Sequence, residues 1–315
     1  MTAQANLIPG DRLHLNHGPI DLVIRAWGRA EAVQTAYANA TQRFSSILEE
    51  LVAELPTLRL ENPTDLAGPV ARKMALAVAP FRPTFITPMA AVAGAVADDI
   101  LSHLVSSGGI TRAYVNNGGD IALHLDPGES LVAAIAGRSG LPDSVTLHAA
   151  DPVRGVATSG WRGRSFSRGI ADAVTVLAKD AAQADAAATI IANAVDLPAH
   201  PAITRRPATD LKADSDLGQR LVTVGVGPLS PSDRTAALKR GLVAAETARQ
   251  QGFIHSAALF LQGYVVTTAS PAFTKPFHFL TANTPEDPEG IAPRRIDAAG
   301  GDRLVPHSSS EHCLG

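Results

Sequence analysis

Residues 112–125 read Arg-Ala-Tyr-Val-Asn-Asn-Gly-Gly-Asp-Ile-Ala-Leu-His-Leu, and this stretch decides the fold. Apolar residues on both sides of Asn116-Asn117-Gly118-Gly119-Asp120 give two strands and a tight turn. Gly118 and Gly119 accept positive φ and expose their N–H groups, so a phosphate or carbonyl can approach the backbone directly. Asn117 can donate and accept, and Asp120 can hold a hydroxyl, a base edge or a water. A plain hairpin explains the same residues equally well.

Outward from this turn, strands follow one another at short spacing: Leu131–Ala136, Ser144–Ala149, Gly155–Ser159 and Ala173–Ala178. A hairpin, Arg12–Asn16 with Ile20–Ala26, precedes them, and Leu221–Gly227, Ala257–Gln262 and Tyr264–Thr268 come after. Helical spacing runs from Ala30 to Leu55, with Phe44, Ile47, Leu48 and Leu51 on one face. Further helices are expected after the start signal Asn62-Pro63-Thr64, over Met89–Ser107, over Asp180–Val195 and from Ser230 to Gln251. Residues from Pro198 to Gly218 read as a connection without elements of its own.

Strands in runs with helices between the runs indicate an α+β or layered α/β fold, with mixed, largely antiparallel sheets flanked by helices. One domain over residues 1–270 and a loosely attached or disordered tail over 271–315 are expected.

The composition narrows the function classes. Hydrophobic residues make up 45% and charged residues 18%, which indicates a packed globular chain. A net charge of −3 without a basic run disfavours nucleic acid. The single cysteine, Cys313, excludes an internal disulfide and fits a reducing cytoplasm. The apolar stretch Pro88–Leu101 is too short to span a bilayer, so no membrane partner is expected. Ala-rich helices offer a surface for a homodimer.

Three further patterns carry chemistry. Thr158-Ser159-Gly160 ends a strand in two hydroxyls and a glycine, suited to phosphate or carbonyl groups. Asp185 and Thr189, four apart, share one helix face; a carboxylate and a hydroxyl there form a hard-oxygen pair of the kind that holds Mg²⁺. Ser165–Asp172 supplies Ser167, Arg168 and Asp172 in one loop, with Arg162 and Arg164 beside it, and such a loop can clamp an anion. Ordinary turns, a solvated helix face and a solvated loop are the corresponding structural readings. His14, His17, His103, His124 and His148 show no metal-ligand spacing.

In order and spacing, the Ala/Gly-rich helix, Asn117-Gly118-Gly119-Asp120, Thr158-Ser159-Gly160 and Asp185…Thr189 resemble the ApbE-like superfamily, which includes FAD-dependent FMN transferases. The resemblance spans about Met89 to Val195, and Arg43-Phe44-Ser45-Ser46-Ile47-Leu48 is similar to a divergent branch. It implies that Asn117, Gly118, Gly119, Asp120, Thr158, Ser159 and Gly160 border a flavin cofactor, FAD or FMN. It further implies that Asp185 and Thr189 hold Mg²⁺, with a backbone carbonyl near Ala91 or Val92 completing that site.

The chain departs from the superfamily pattern at two places. Val92-Ala93-Gly94 stands where that pattern has Ala-Lys-Gly, and Ser167–Asp172 where it has His-Ile-Asp-Pro-Arg. Ser167 and Asp172 then stand where catalytic groups are needed. Three expectations follow: an altered transferase or related small-molecule enzyme, a non-catalytic flavin or nucleotide binder, or a scaffold that retains only the fold.

Overall fold

The computed structural model describes residues 2–134 and 144–268. Strands β1 (Gln4–Ile8), β2 (Arg12–His17), β3 (Ile20–Gly28), β4 (Ile110–Asn117) and β5 (Asp120–Leu125) begin the sheet. A separate hairpin, β6 (Ser130–Ala134) and β7 (Ser144–His148), leads to β8 (Gly155–Ser159) and β9 (Ala173–Ala178). Two strands, β10 (Ile203–Pro207) and β11 (Leu221–Val226), form a small sheet, and β12 (Ser256–Leu261) and β13 (Tyr264–Thr267) close the described chain. The main sheet has nine strands in the order β1-β2-β3-β4-β5-β8-β9-β12-β13, and every pairing between its neighbours is antiparallel.

Helices α1 (Ala30–Ala53), α2 (Leu55–Leu58), α3 (Pro69–Val78), α4 (Val92–Val105), α5 (Ala181–Ala194), α6 (Ala208–Leu211) and α7 (Pro231–Gln250), with two short 3₁₀ turns at Ala79–Phe81 and Pro88–Ala91, complete the described elements. The layered α+β architecture with antiparallel sheets flanked by helices is therefore observed.

Strand alternation sorts the core into two layers. Leu13 and Leu15 of β2, Leu22 and Ile24 of β3, Val115 of β4 and Ala122 of β5 face Phe44 and Ile47 of α1 and Ala95 and Ile100 of α4. The same sheet face continues through Ala157, Val176 and Leu259 beneath α5 and α7. On the opposite face, Tyr114, Ile121, Leu123, Val156 and Leu177 pack under Leu131, Val145 and Leu147 of the β6–β7 hairpin. Alanines dominate α5 because it lies against both the sheet and α4, where longer side chains would hold the layers apart.

Several expectations shift. The helix expected at Asn62-Pro63-Thr64 starts only at Pro69, because Asp65 takes φ 57° and interrupts the turn; Gly68 occupies the cap position without a side-chain bond. The Pro198–Gly218 connection contains β10 and α6, whose alternating burial is too shallow to stand out as a hydrophobic pattern. β1 also went unforeseen, since it is an edge strand whose residues are almost all exposed. The apolar stretch expected over Pro88–Leu101 extends to an 18-residue helical run, Pro88–Val105, half of it buried inside the protein. The expected end of one strand at Ala136 and the expected tail over 271–315, with Cys313, lie outside the described residues.

Candidate functional site

The β4–β5 turn is the two-residue loop Gly118–Gly119, with φ of 65° and 119°, conformations that disfavour any side chain. Asn116 Oδ1 accepts from the Gly119 N–H at 2.8 Å and closes the turn. Asn117, on the helix-covered face, donates from Nδ2 to the Ala93 carbonyl at 3.1 Å, so the turn is tied to the start of α4.

Asp120 begins β5 on that same face, and its Oδ1 accepts from the Thr158 N–H of β8 at 3.2 Å. The Thr158 hydroxyl points to the other face and meets the Thr175 hydroxyl at 2.9 Å. Thr158 thus serves Asp120 through its backbone. Ser159 returns to the helix-covered face by alternation. Gly160 must be small, since a Cβ there would sit 2.5 Å from the Asp172 carbonyl oxygen.

Two helix N-termini converge on the site. At Gly94 the backbones of α4 and α5 touch: an added Cβ would lie 2.2 Å from the Ala181 carbonyl oxygen. The Gly94 N–H, one of the free first-turn donors of α4, donates to Asp185 Oδ2 at 3.1 Å. Asp98 of α4 accepts from the Ala181 and Ala182 N–H groups that open α5, each at 3.0 Å, and pairs with Lys73 at 3.0 Å. Asp180 caps α5 through the Gln183 N–H at 2.8 Å.

These contacts bring Asp120 and Asp185 into one electrostatic unit. Burial pushes the Asp120 carboxyl up to about 7, against the opposing Thr158 N–H and Arg164 charge. Burial raises Asp185 well above the ordinary carboxylate range, and the negative charge of Asp120 adds to that rise. Asp98 is also raised, chiefly by burial, with Lys73 opposing. Both carboxylates of the pair are thus costly to ionise together unless positive charge arrives.

The remaining predicted residues have distinct places. Thr189 stands half-buried one turn after Asp185 on α5. Asn193, a further turn along, was not singled out in the sequence as a site residue, although the same four-residue spacing continues to it. Its Oδ1 accepts from the Arg168 N–H at 2.8 Å and from the Ser167 hydroxyl at 3.3 Å. Ser167 is buried, and its carbonyl also receives the Thr223 N–H of β11.

Asp172 accepts from Arg162 Nε at 2.9 Å and from the Gln262 N–H, which joins the loop to the β12–β13 turn. Ser167 and Asp172 therefore hold the loop in place through several bonds, at a distance from the Asp120–Asp185 unit that no hydrogen bond bridges among the described residues. Arg164 lies against the turn itself: a Cβ on Gly118 would meet its Nη2 at 1.6 Å.

Among the described residues no group of three or more His, Cys, Asp or Glu is placed to hold a metal. Two surface hollows, of about 270 and 540 Å³, lie elsewhere: one beside Glu61, Arg82 and Ile86, the other beside Leu7 and Tyr37. Polar geometry marks this site, and neither hollow opens onto it.

A sequence model of the family described as "AbpE bacteria" matches residues 4–267. The chain belongs to this family. It is similar to the UPF0280 protein of Methanothrix thermoacetophila, at 39% identity over 191 residues, covering 58% of this chain and 76% of that one. A UPF0280 protein of Methanococcoides burtonii is 35% identical over 153 residues, covering 48% of this chain and 64% of that one. Among solved structures, the flavin transferase ApbE from Vibrio cholerae is similar at 13% identity and a TM-score of 0.39, covering 86% of this chain and 97% of that one. That last likeness is a remote one of fold.

Proposed function

We propose that this protein binds a phosphate-bearing, nucleotide-type ligand, with flavins in that class, through one Mg²⁺ at Asp120 and Asp185, and that it acts as a binder and not as a transferase. The observation that carries this reading is the carboxylate pair of Asp120 on β5 and Asp185 on α5, held by the Thr158 N–H and by the Gly94 N–H at the start of α4, with burial and the Asp120 charge raising Asp185.

The residues fit a divalent cation. Asp185 and Asp120 supply hard oxygens and Thr189 a hydroxyl on the same helix face. Mg²⁺ commonly takes one or two carboxylates and leaves its other positions to ligand phosphates and water, so two aspartates are enough for it. When bound, the cation would supply the positive charge that the two acids lack. Gly119, with nothing within 4 Å of an added Cβ, leaves backbone room for a phosphate beside the Arg164-covered Gly118, and Asn117 keeps the turn registered on α4.

The residues at the positions a transferase would use speak against transfer. Val92-Ala93-Gly94 offers no lysine. Ser167 and Asp172 spend their polar atoms on Asn193, Gly169, Arg162 and Gln262. Isothermal titration of the purified protein with Mg²⁺, then with ADP, FMN and FAD, tests the reading. Magnesium-dependent binding that is lost in Asp185→Ala, without release of FMN or AMP from FAD, is expected. Equal binding by wild type and Asp185→Ala overturns the proposal, and turnover of FAD overturns its non-catalytic part.

A further inference from the structure

Arg164 differs from its neighbours in the loop after β8. Arg162 is engaged by Asp172 and stacks on Trp161, with its guanidinium carbon 4.8 Å from the ring centroid. Arg168 lies toward the Phe85 ring at 5.9 Å. Arg164 is exposed and has no carboxylate within ion-pair distance among the described residues. Its guanidinium instead covers Gly118, occupying the space a side chain there would need: a Cβ would lie 1.6 Å from Nη2 and 2.7 Å from Cζ.

The loop that delivers it is held at both ends. Trp161 N–H donates to the Ala171 carbonyl at 3.0 Å, and Gly163 N–H to the Gly160 carbonyl at 3.1 Å. Beyond Arg164, Asn193 fixes the Arg168 backbone at 2.8 Å. A cation with no ion-pair partner among the described residues is therefore stationed at the glycine turn, its charge felt by the half-buried Asp120.

We infer that Arg164 is the specificity-determining residue of this site, receiving an anionic phosphoryl oxygen of the ligand at the Gly118–Gly119 turn. The inference rests on the reading that a phosphorylated ligand and Mg²⁺ bind here, and it deepens that reading by naming the group that selects for phosphate. A planar guanidinium presents parallel N–H donors that match two phosphoryl oxygens, which an ammonium cannot do. Glycine at 118 lets the Nη2 end of that fork come against the turn. The fork on the turn receives the phosphoryl group, and Mg²⁺ held by Asp120 and Asp185 would supply further positive charge to it, while the rest of the ligand contributes little to the discrimination.

The test compares ADP with adenosine in saturating Mg²⁺, by isothermal titration, for wild type, Arg164→Gln and Arg164→Lys. Mg²⁺ alone is titrated in parallel, and the melting temperature of each protein is recorded. Wild type is expected to prefer ADP over adenosine by tenfold or more. Arg164→Gln is expected to lose at least tenfold in ADP affinity with adenosine affinity unchanged, and Arg164→Lys to recover only part of it. Because Arg164 is exposed, the melting temperature of each variant stays close to that of wild type, and Mg²⁺ alone still binds.

An unchanged preference for ADP in Arg164→Gln overturns the inference while leaving the proposed metal site standing. Equal loss of ADP and adenosine, or a fall in melting temperature that accounts for both, assigns Arg164 a structural role and likewise overturns it. Wild-type protein that binds neither Mg²⁺ nor ADP overturns the site and the inference together.

Discussion

Asp120→Asn perturbs the pair at its better-defined member. The substitution keeps the Oδ1 that accepts from the Thr158 N–H, so the β5–β8 contact survives and only the charge is removed. Asp120 moves from an ordinary value of 3.8 to about 7. At about 1.36 kcal/mol per pH unit, that amounts to roughly 4 kcal/mol of penalty on the ionised folded state. Asp185 draws on the same mutual repulsion and Asp120 is not wholly enclosed, so about 2 kcal/mol is assigned to Asp120 alone.

The sign follows from proton uptake. The folded carboxyl holds its proton more tightly than the unfolded one, so folding takes up a proton between the two values. Stability therefore falls as pH rises from about 4 to about 7, and the penalty is complete above 7. Relative to wild type, Asp120→Asn is expected to show a flatter profile over that interval and to be more stable at pH 8. For a domain of this size, about 2 kcal/mol corresponds to roughly 4–8 °C.

Thermal unfolding by circular dichroism from pH 4.5 to 8.5, in chelator, reads this directly. Adding Mg²⁺ at a hundred times its Kd should then stabilise wild type by about 2.7 kcal/mol and the variant by less. Parallel pH profiles, with no gain at pH 8, refute the claim that this carboxyl is strained by its surroundings.

Other perturbations test the frame around the pair. Gly94→Ala places a methyl 2.2 Å from the Ala181 carbonyl, against backbone that cannot swing away; a loss of about 2–3 kcal/mol is expected in denaturant unfolding, together with weakened Mg²⁺ binding. Asn193→Ala removes the acceptor for the Arg168 N–H and the Ser167 hydroxyl, costing about 1–2 kcal/mol; faster tryptic cleavage after Arg164 and Arg168 is the readout. Phe44→Ala empties a fully packed position between α1 and the sheet, and about 3–5 kcal/mol should be lost with ligand preference intact if the protein still folds.

The boundary between what the sequence shows and what it hides follows the range of the interactions. Asn116–Asp120, Gly155–Ser159 and Ala173–Ala178 are legible because turn chemistry and two-residue alternation act within a few positions, and their strands appear where the pattern puts them. β1 and β10 are not, because an exposed edge strand and a half-buried small sheet bury too little to leave a period. Within the site, the spacing of Asp185 and Thr189 is local and readable.

The partners that give Asp185 its character are not local: the Gly94 N–H comes from 91 positions away, and the Asp120 charge from another strand. Gly94 itself reads only as one small residue in an alanine-rich helix until the Ala181 carbonyl is seen against it. Arg164 is the sharper case. In the sequence it is one of three alternating arginines, and only the fold separates Arg162, which Asp172 engages, from Arg164, which Gly118 receives. The glycine at the turn and the arginine in the loop thus form one feature, 46 positions apart: the missing side chain at 118 leaves the space that the guanidinium at 164 fills.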